Sequence, residues 1–288
     1  MAIGFALISA ALFGALTVMM RIALGRSDEP GLAALVTTGI ALLVSVVAAL
    51  PNVGDWGSAD LATVGWMALA GLLAPGLSGV LYTRAVRAAG ASRTVIVFGM
   101  APLVAVGIAL VALDEPVQAG LIAGTVLVVV GGLALAFERE RPAQFRRLGI
   151  LIAVACMSLF AARDNVARWK LGGVDVHVSP SLAVVVSLAA GTAVTLAATA
   201  DRSPRRLFRA AAVPFVLPGI VYGISYVLLL EAYARGRVSI VSPIVATETL
   251  FGVVLAAVFL RRSELVGPKL FVGAALVVAG SALIGVFR

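Results

Sequence analysis

Apolar residues in this chain fill runs of about 20 residues, separated by short polar connections and without period-two alternation. At about 1.5 Å per residue, a helix of that length crosses roughly 30 Å of hydrocarbon. The pattern predicts ten membrane helices, over residues 2–24, 31–50, 61–82, 93–113, 117–137, 148–171, 179–200, 210–233, 238–260 and 266–287. Strands of a membrane barrel would alternate lipid-facing and lumen-facing residues, and no run does so. The first run has no basic n-region and is longer than a signal peptide's apolar core, so it is read as the first helix.

The longest polar stretch, residues 138–147 (ERERPAQFRR), falls near the middle of the chain. It divides a first unit, residues 1–137, from a second, residues 148–288, and the two units match. Residues 114–132 (DEPVQAGLIAGTVLVVVGG) align with residues 263–281 (SELVGPKLFVGAALVVAGS) at an offset of 149, which places Glu115 on Glu264, Gly124 on Gly273 and Gly131 on Gly280. Residues 12–24 (LFGALTVMMRIAL) align with residues 159–171 (LFAARDNVARWKL) at an offset of 147, pairing Arg21 with Arg168. The chain is an internal duplication. Each copy carries five helices, an odd number, so the second copy enters the membrane with the opposite orientation; inverted repeats around a midplane site are a recurring transporter architecture.

Composition narrows the class. Hydrophobic residues make up 61% of the chain and charged residues 12%, where a soluble domain carries about 25% charged. Too few polar residues remain to coat a surface in water, so the lipid bilayer is the expected solvent. The net charge of +8 comes from basic residues that punctuate the apolar runs rather than line one amphipathic face, which points to anionic headgroups and not to nucleic acid. With a single cysteine, Cys156, read as an inert core thiol, and a single histidine, His177, no intramolecular disulfide or Cys/His metal cluster is available. A Gly-rich loop with a phosphate-cradling Lys is missing, as is a Ser–His–Asp set, so neither ATP hydrolysis nor enzymatic chemistry is expected, and no cofactor.

Ten helices in two copies, each closing with Glu, Gly nine residues on and a second Gly seven further, together with Ala91–Ser92 opening the fourth helix and Pro102 inside it, resemble the EamA-type branch of the drug/metabolite transporter superfamily. The second copy departs from the pattern, with Phe251 at the place of Pro102 and Pro243 nearby. The resemblance implies an all-α integral membrane fold of two inverted five-helix repeats, and transport, without naming a cargo. It also implies cytoplasmic termini. The distribution of basic residues, with Arg26, Arg84, Arg87, Arg139, Arg141, Arg146 and Arg205 in connections on one side, puts both termini outside. The two readings stand side by side.

Ionisable groups inside hydrocarbon cost about 2.5–3.5 kcal/mol on insertion scales, so each one asks for an explanation. Glu248 lies near the centre of the ninth run, too deep to snorkel, and is the first candidate for substrate binding or coupling. Asp164 is followed four residues on by Arg168, which would share its helix face; the pair could receive a zwitterion or simply neutralise itself. Asn165 flanks them, and Arg21 is the duplicate of Arg168 with Thr17 where an acid would stand. Tyr222, Tyr226 and Tyr233 share a helical face, as a cavity wall or as packing. Glu231 is read as a solvated helix end, Glu115 and Glu264 as turn or capping residues, and Gly124, Gly131, Gly273 and Gly280 as close helix contacts.

Together these features predict a multi-pass secondary transporter of a bacterial inner membrane, monomeric or homodimeric. It would export a small organic solute, an amino acid or related metabolite, by alternating access, with protons as a candidate coupling partner. Export of cationic drugs is the alternative within transport, and a structural or lipid-handling membrane protein is the alternative outside it.

Overall fold

The computed structural model describes residues 1–27, 29–101, 104, 119–136, 147–171, 179–199, 212–235, 241, 244–260 and 267–286, and every regular element among them is helical. The α-helices are α1 (Ala2–Arg26), α2 (Pro30–Ala49), α3 (Leu61–Gly71), α4 (Ser78–Ala89), α5 (Ala91–Gly99), α6 (Ala119–Ala136), α7 (Arg147–Leu171), α8 (Pro180–Ala197), α9 (Val216–Arg235), α10 (Glu248–Phe259) and α11 (Pro268–Val286). Among the described residues, six helical stretches are long and apolar enough to cross a membrane: Ala2–Arg26, Pro30–Gly54, Leu61–Ala89, Arg147–Ala167, Pro180–Ala197 and Val213–Arg235. Ile244–Phe259 and Pro268–Leu283 are apolar but shorter. The ten expected spans are therefore met by six on length. Pro102, Glu115, residues 138–146, His177, Pro243 and Glu264 lie outside the described residues.

Local chemistry sets the ends and breaks. Asp60 caps α3 by accepting from the backbone N–H groups of Ala62 (3.3 Å) and Thr63 (3.1 Å), and the Ser179 hydroxyl accepts from Leu182 N ahead of Pro180 at the first position of α8. The third span is broken between α3 and α4, where Ala74 leaves helical geometry (φ −148°, ψ 121°). Pro75 explains the break, because its ring excludes the helical conformation from the residue before it and its nitrogen has no hydrogen to donate. Gly90, at φ 93°, turns the chain from α4 into α5 in a conformation that only glycine adopts without strain.

The two halves are related by an approximate two-fold axis. Ser9 Oγ donates to the Ser225 carbonyl at 2.9 Å, and Cys156 Sγ donates to the Ser78 carbonyl at 3.2 Å. An offset of 147 converts Ser9 into Cys156 and Ser78 into Ser225, so these are one contact made twice. Whole helices follow the same rule: α1 packs on α9 as α7 packs on α4, and α1 on α10 as α7 on α5. Equivalent helices also pack on each other across the axis, α6 on α11, α2 on α8 and α5 on α10.

Glycines reveal their direction. A Cβ on Gly131 would fall 2.7 Å from the Gly273 carbonyl, and one on Gly280 would fall 2.6 Å from the Gly124 carbonyl. Residue numbers rise on α6 as they fall on α11, so these duplicated helices run antiparallel. Small residues let the backbones touch, which matters in lipid because packing rather than water exclusion holds helices together. Leu7, Leu43, Val47, Val126, Leu151, Val258 and Phe259 are exposed on the outside, as a lipid-facing surface requires.

Candidate functional site

Polar and charged residues meet in a cavity between the halves. Its volume is about 110 Å³. One wall is formed by Phe13, Leu16 and Thr17 of α1, Tyr82 of α4, Phe98 of α5 and Ala101; the facing wall by Phe160, Arg163 and Asp164 of α7, Leu229 of α9, Val245 before the start of α10, and Glu248 of α10. In this order each residue of the first wall is the duplicate of one in the second at the offset of 147. The cavity thus sits on the two-fold axis.

For the fourth helix of each half, that offset is fixed by the backbone. Met100 N bonds to the Val97 carbonyl at 3.1 Å, and Thr247 N bonds to the Ile244 carbonyl at 3.0 Å. Both helices are interrupted at the same place, and Ala101 and Glu248 are the first residues after it. This corrects the expectation that Phe251 occupies the place of Pro102: the 149 offset of the closing helices does not extend back to this break. Glu248 opens α10, where unbonded amides and the helix dipole favour a carboxylate. Close packing of α1 brings it to the cavity, since a Cβ on Gly14 would lie 2.7 Å from Gly252 N and 2.9 Å from the Glu248 carbonyl.

Among the described residues, every charge on the cavity wall belongs to the second half. Opposite Arg163, Asp164 and Glu248 stand Leu16, Thr17 and Ala101. Arg163 is 2% exposed, with its guanidinium carbon 5.1 Å from the centre of the Phe160 ring and 4.9 Å from that of Tyr226. Its Nε stands 2.9 Å from Asp164 Oδ1, an ion pair made at an angle rather than a straight hydrogen bond, because consecutive helical residues do not face each other. Its Nη1 is buried without a hydrogen-bond partner, as are the Tyr222 and Tyr226 hydroxyls. Aromatic rings complete the enclosure: Tyr82 stacks on Phe98 with centroids 5.6 Å apart, Phe98 meets Phe160 edge-on at 5.6 Å, and Phe13 leans on Tyr222 at 6.2 Å. The Tyr82 hydroxyl donates to Thr17 Oγ1 at 2.8 Å.

The residues expected from sequence divide accordingly. Glu248, Asp164, Tyr222 and Tyr233 line the cavity; Tyr226 lies one layer behind it, under Arg163. Asp164 takes Arg163 as its described partner, and the Arg168 side chain lies outside the described residues. Arg21 is not on the wall. Its Nη1 donates to the Arg87 carbonyl at 2.9 Å and the Val86 carbonyl at 3.4 Å, closing the last turn of α4. Asn165 spends its amide on the Ala161 carbonyl of its own helix at 2.8 Å. Glu231 pairs with Arg235, whose guanidinium covers Phe5. Arg163 is a site residue that the sequence reading does not single out; the repeat offered a signal, since Arg163 stands where its duplicate is the apolar Leu16.

The EamA-like transporter family model matches residues 1–137 and again residues 147–286. The chain belongs to the EamA-like transporter family. It is a multi-pass membrane transporter of the drug/metabolite transporter superfamily. No curated protein matches it. A crystal structure described only as that of a protein is similar in fold, with a TM-score of 0.64 and 20% identity over 97% of this chain and 99% of the matched chain.

Proposed function

We propose that this EamA-like transporter is a ten-pass protein of two inverted five-helix repeats, in a bacterial plasma membrane, that exports a small organic solute by alternating access. The solute is an amino acid or related metabolite, and Glu248 couples its movement to protons. The observation that carries this reading is the cavity itself. It is walled by both members of six duplicated pairs, so rocking one half against the other can open it first to one side and then to the other. Three ionisable side chains around so small a space are costly in hydrocarbon, and substrate or proton handling accounts for keeping them.

Counterflow in proteoliposomes tests the reading. Vesicles loaded with unlabelled solute should accumulate labelled solute faster than protein-free vesicles, across a panel of amino acids and organic amines. A membrane scaffold gives no counterflow with any of them. Export of cationic drugs is the second reading, favoured by a carboxylate among Tyr82, Phe98 and Tyr222, whose ring faces attract cations. Counterflow of quaternary ammonium compounds without response to amino acids would select it.

A further inference from the structure

We infer that Arg163 is the anion-binding residue of this cavity and that it takes a carboxylate of the transported solute. The inference rests on the transport reading and names the ligand chemistry of the same site. The setting of its guanidinium supports this. Arg163 lines the cavity yet is 2% exposed, and one of its terminal nitrogens, Nη1, has no hydrogen-bond partner. A buried guanidinium nitrogen left unbonded forfeits the hydration it had in water, and such groups in folded proteins are ordinarily paired. Phe160 and Tyr226 hold the guanidinium by its faces, and Asp164 engages Nε from the side, so the fork is fixed before any ligand arrives. A planar guanidinium suits a planar two-oxygen anion, the geometry that arginine recognises better than lysine does.

The rest of the wall specifies what accompanies that carboxylate. Glu248 lies on the same half and lines the same space, which provides for an ammonium group or other cationic end. Phe13, Phe98 and Tyr82 provide an apolar cage for the remainder. Because the duplicates of the two anchors are Leu16 and Ala101, the solute has one orientation and not two, despite the two-fold symmetry of the walls. Asp164 is a positioning residue here: it aims Arg163 and offsets its charge without touching the solute.

Leucine, N-acetylleucine and leucinamide separate the requirements, since the second lacks the ammonium and the third the carboxylate. Affinities are measured by calorimetry on the purified full-length protein, and labelled leucine counterflow is measured alongside. The wild-type protein should bind leucine about tenfold or more tighter than leucinamide, the preference expected of a charge-assisted hydrogen bond, with N-acetylleucine between the two because it keeps the carboxylate and lacks the ammonium. Removing Arg163 alone would leave Asp164 buried without a cation, so the variant used is Arg163→Met with Asp164→Asn, which keeps the site neutral. It should fold and bind leucine and leucinamide equally, with the preference for a carboxylate gone. Arg163→Lys, which retains a cation beside Asp164, should narrow the preference for leucine over leucinamide several-fold without abolishing it. Equal wild-type affinity for leucine and leucinamide, a preference that survives in the neutral double variant, or no wild-type binding of any of the three overturns the assignment. Carboxylate-dependent binding without counterflow instead refutes transport and leaves the Arg163 site standing.

Discussion

Cys156 donates to the Ser78 carbonyl from the position that Ser9 holds in the first half. The thiol therefore acts as a hydroxyl equivalent, and Cys156→Ser should keep the same bond. Its thermal unfolding temperature should stay close to wild type, within a stability difference of about 1 kcal/mol; a large loss would mean that the sulfur fills space a hydroxyl cannot. Glu248 stands under a different demand, because its duplicate is Ala101 and nothing in the fold's symmetry calls for an acid there. In proteoliposomes with an imposed proton gradient, Glu248→Gln should lose the gradient-driven component of uptake, while counterflow of N-acetylleucine, which has no ammonium for this carboxylate to hold, persists at equal pH. Full gradient-driven uptake by Glu248→Gln would falsify proton coupling through this residue. Both predictions concern single atoms, yet they came from different sources. Glu248 was legible as a charge in an apolar run, whereas the role of Cys156 needed its partner, a carbonyl 78 residues away in the chain.

Between elements, glycine decides how closely equivalent helices approach. Gly131 and Gly280 occupy related sites in the α6–α11 contact, each with a carbonyl where a side chain would begin. Gly131→Ala and Gly280→Ala should each destabilise the protein by about 1–3 kcal/mol, by the usual cost of overpacking, and by similar amounts because the sites are related. Gly65, inside α3, has nothing within 4 Å of an added Cβ. Gly65→Ala should instead stabilise by about 0.5–1 kcal/mol, through the smaller entropy loss of alanine in a helix. Thermal unfolding of the detergent-purified variants reads all three, and the opposite signs separate packing from helix propensity. The sequence predicted the close contacts from their spacing. Pro75 and Pro218 look alike in the chain, yet Ala74–Pro75 interrupts its helix while Pro218 is accommodated near the start of α9, and that difference is visible only in the structure.

Across the whole molecule, the halves meet at α2 and α8, where Thr38 Oγ1 and Thr195 Oγ1 lie 3.0 Å apart. Cysteines placed at both positions, in a Cys156→Ser background, should form a disulfide on mild oxidation. If transport requires the halves to move against each other, oxidised Thr38→Cys/Thr195→Cys protein should show no counterflow and recover it on reduction. Persistent counterflow with the disulfide formed, checked by gel mobility after proteolysis between the halves, would count against alternating access at this seam. The sequence alone determined that the chain lives in lipid, is helical and is built twice, because hydrophobic run length and internal similarity are local properties that survive without coordinates. Tertiary structure alone decided that Arg163 and not Arg21 reaches the cavity, that the breaks after Gly99 and at Thr247 correspond, and that the cavity charges among the described residues all fall on one half. Those facts depend on which face a helix turns inward and on what stands opposite, and helix rotation is set by packing between segments more than a hundred residues apart.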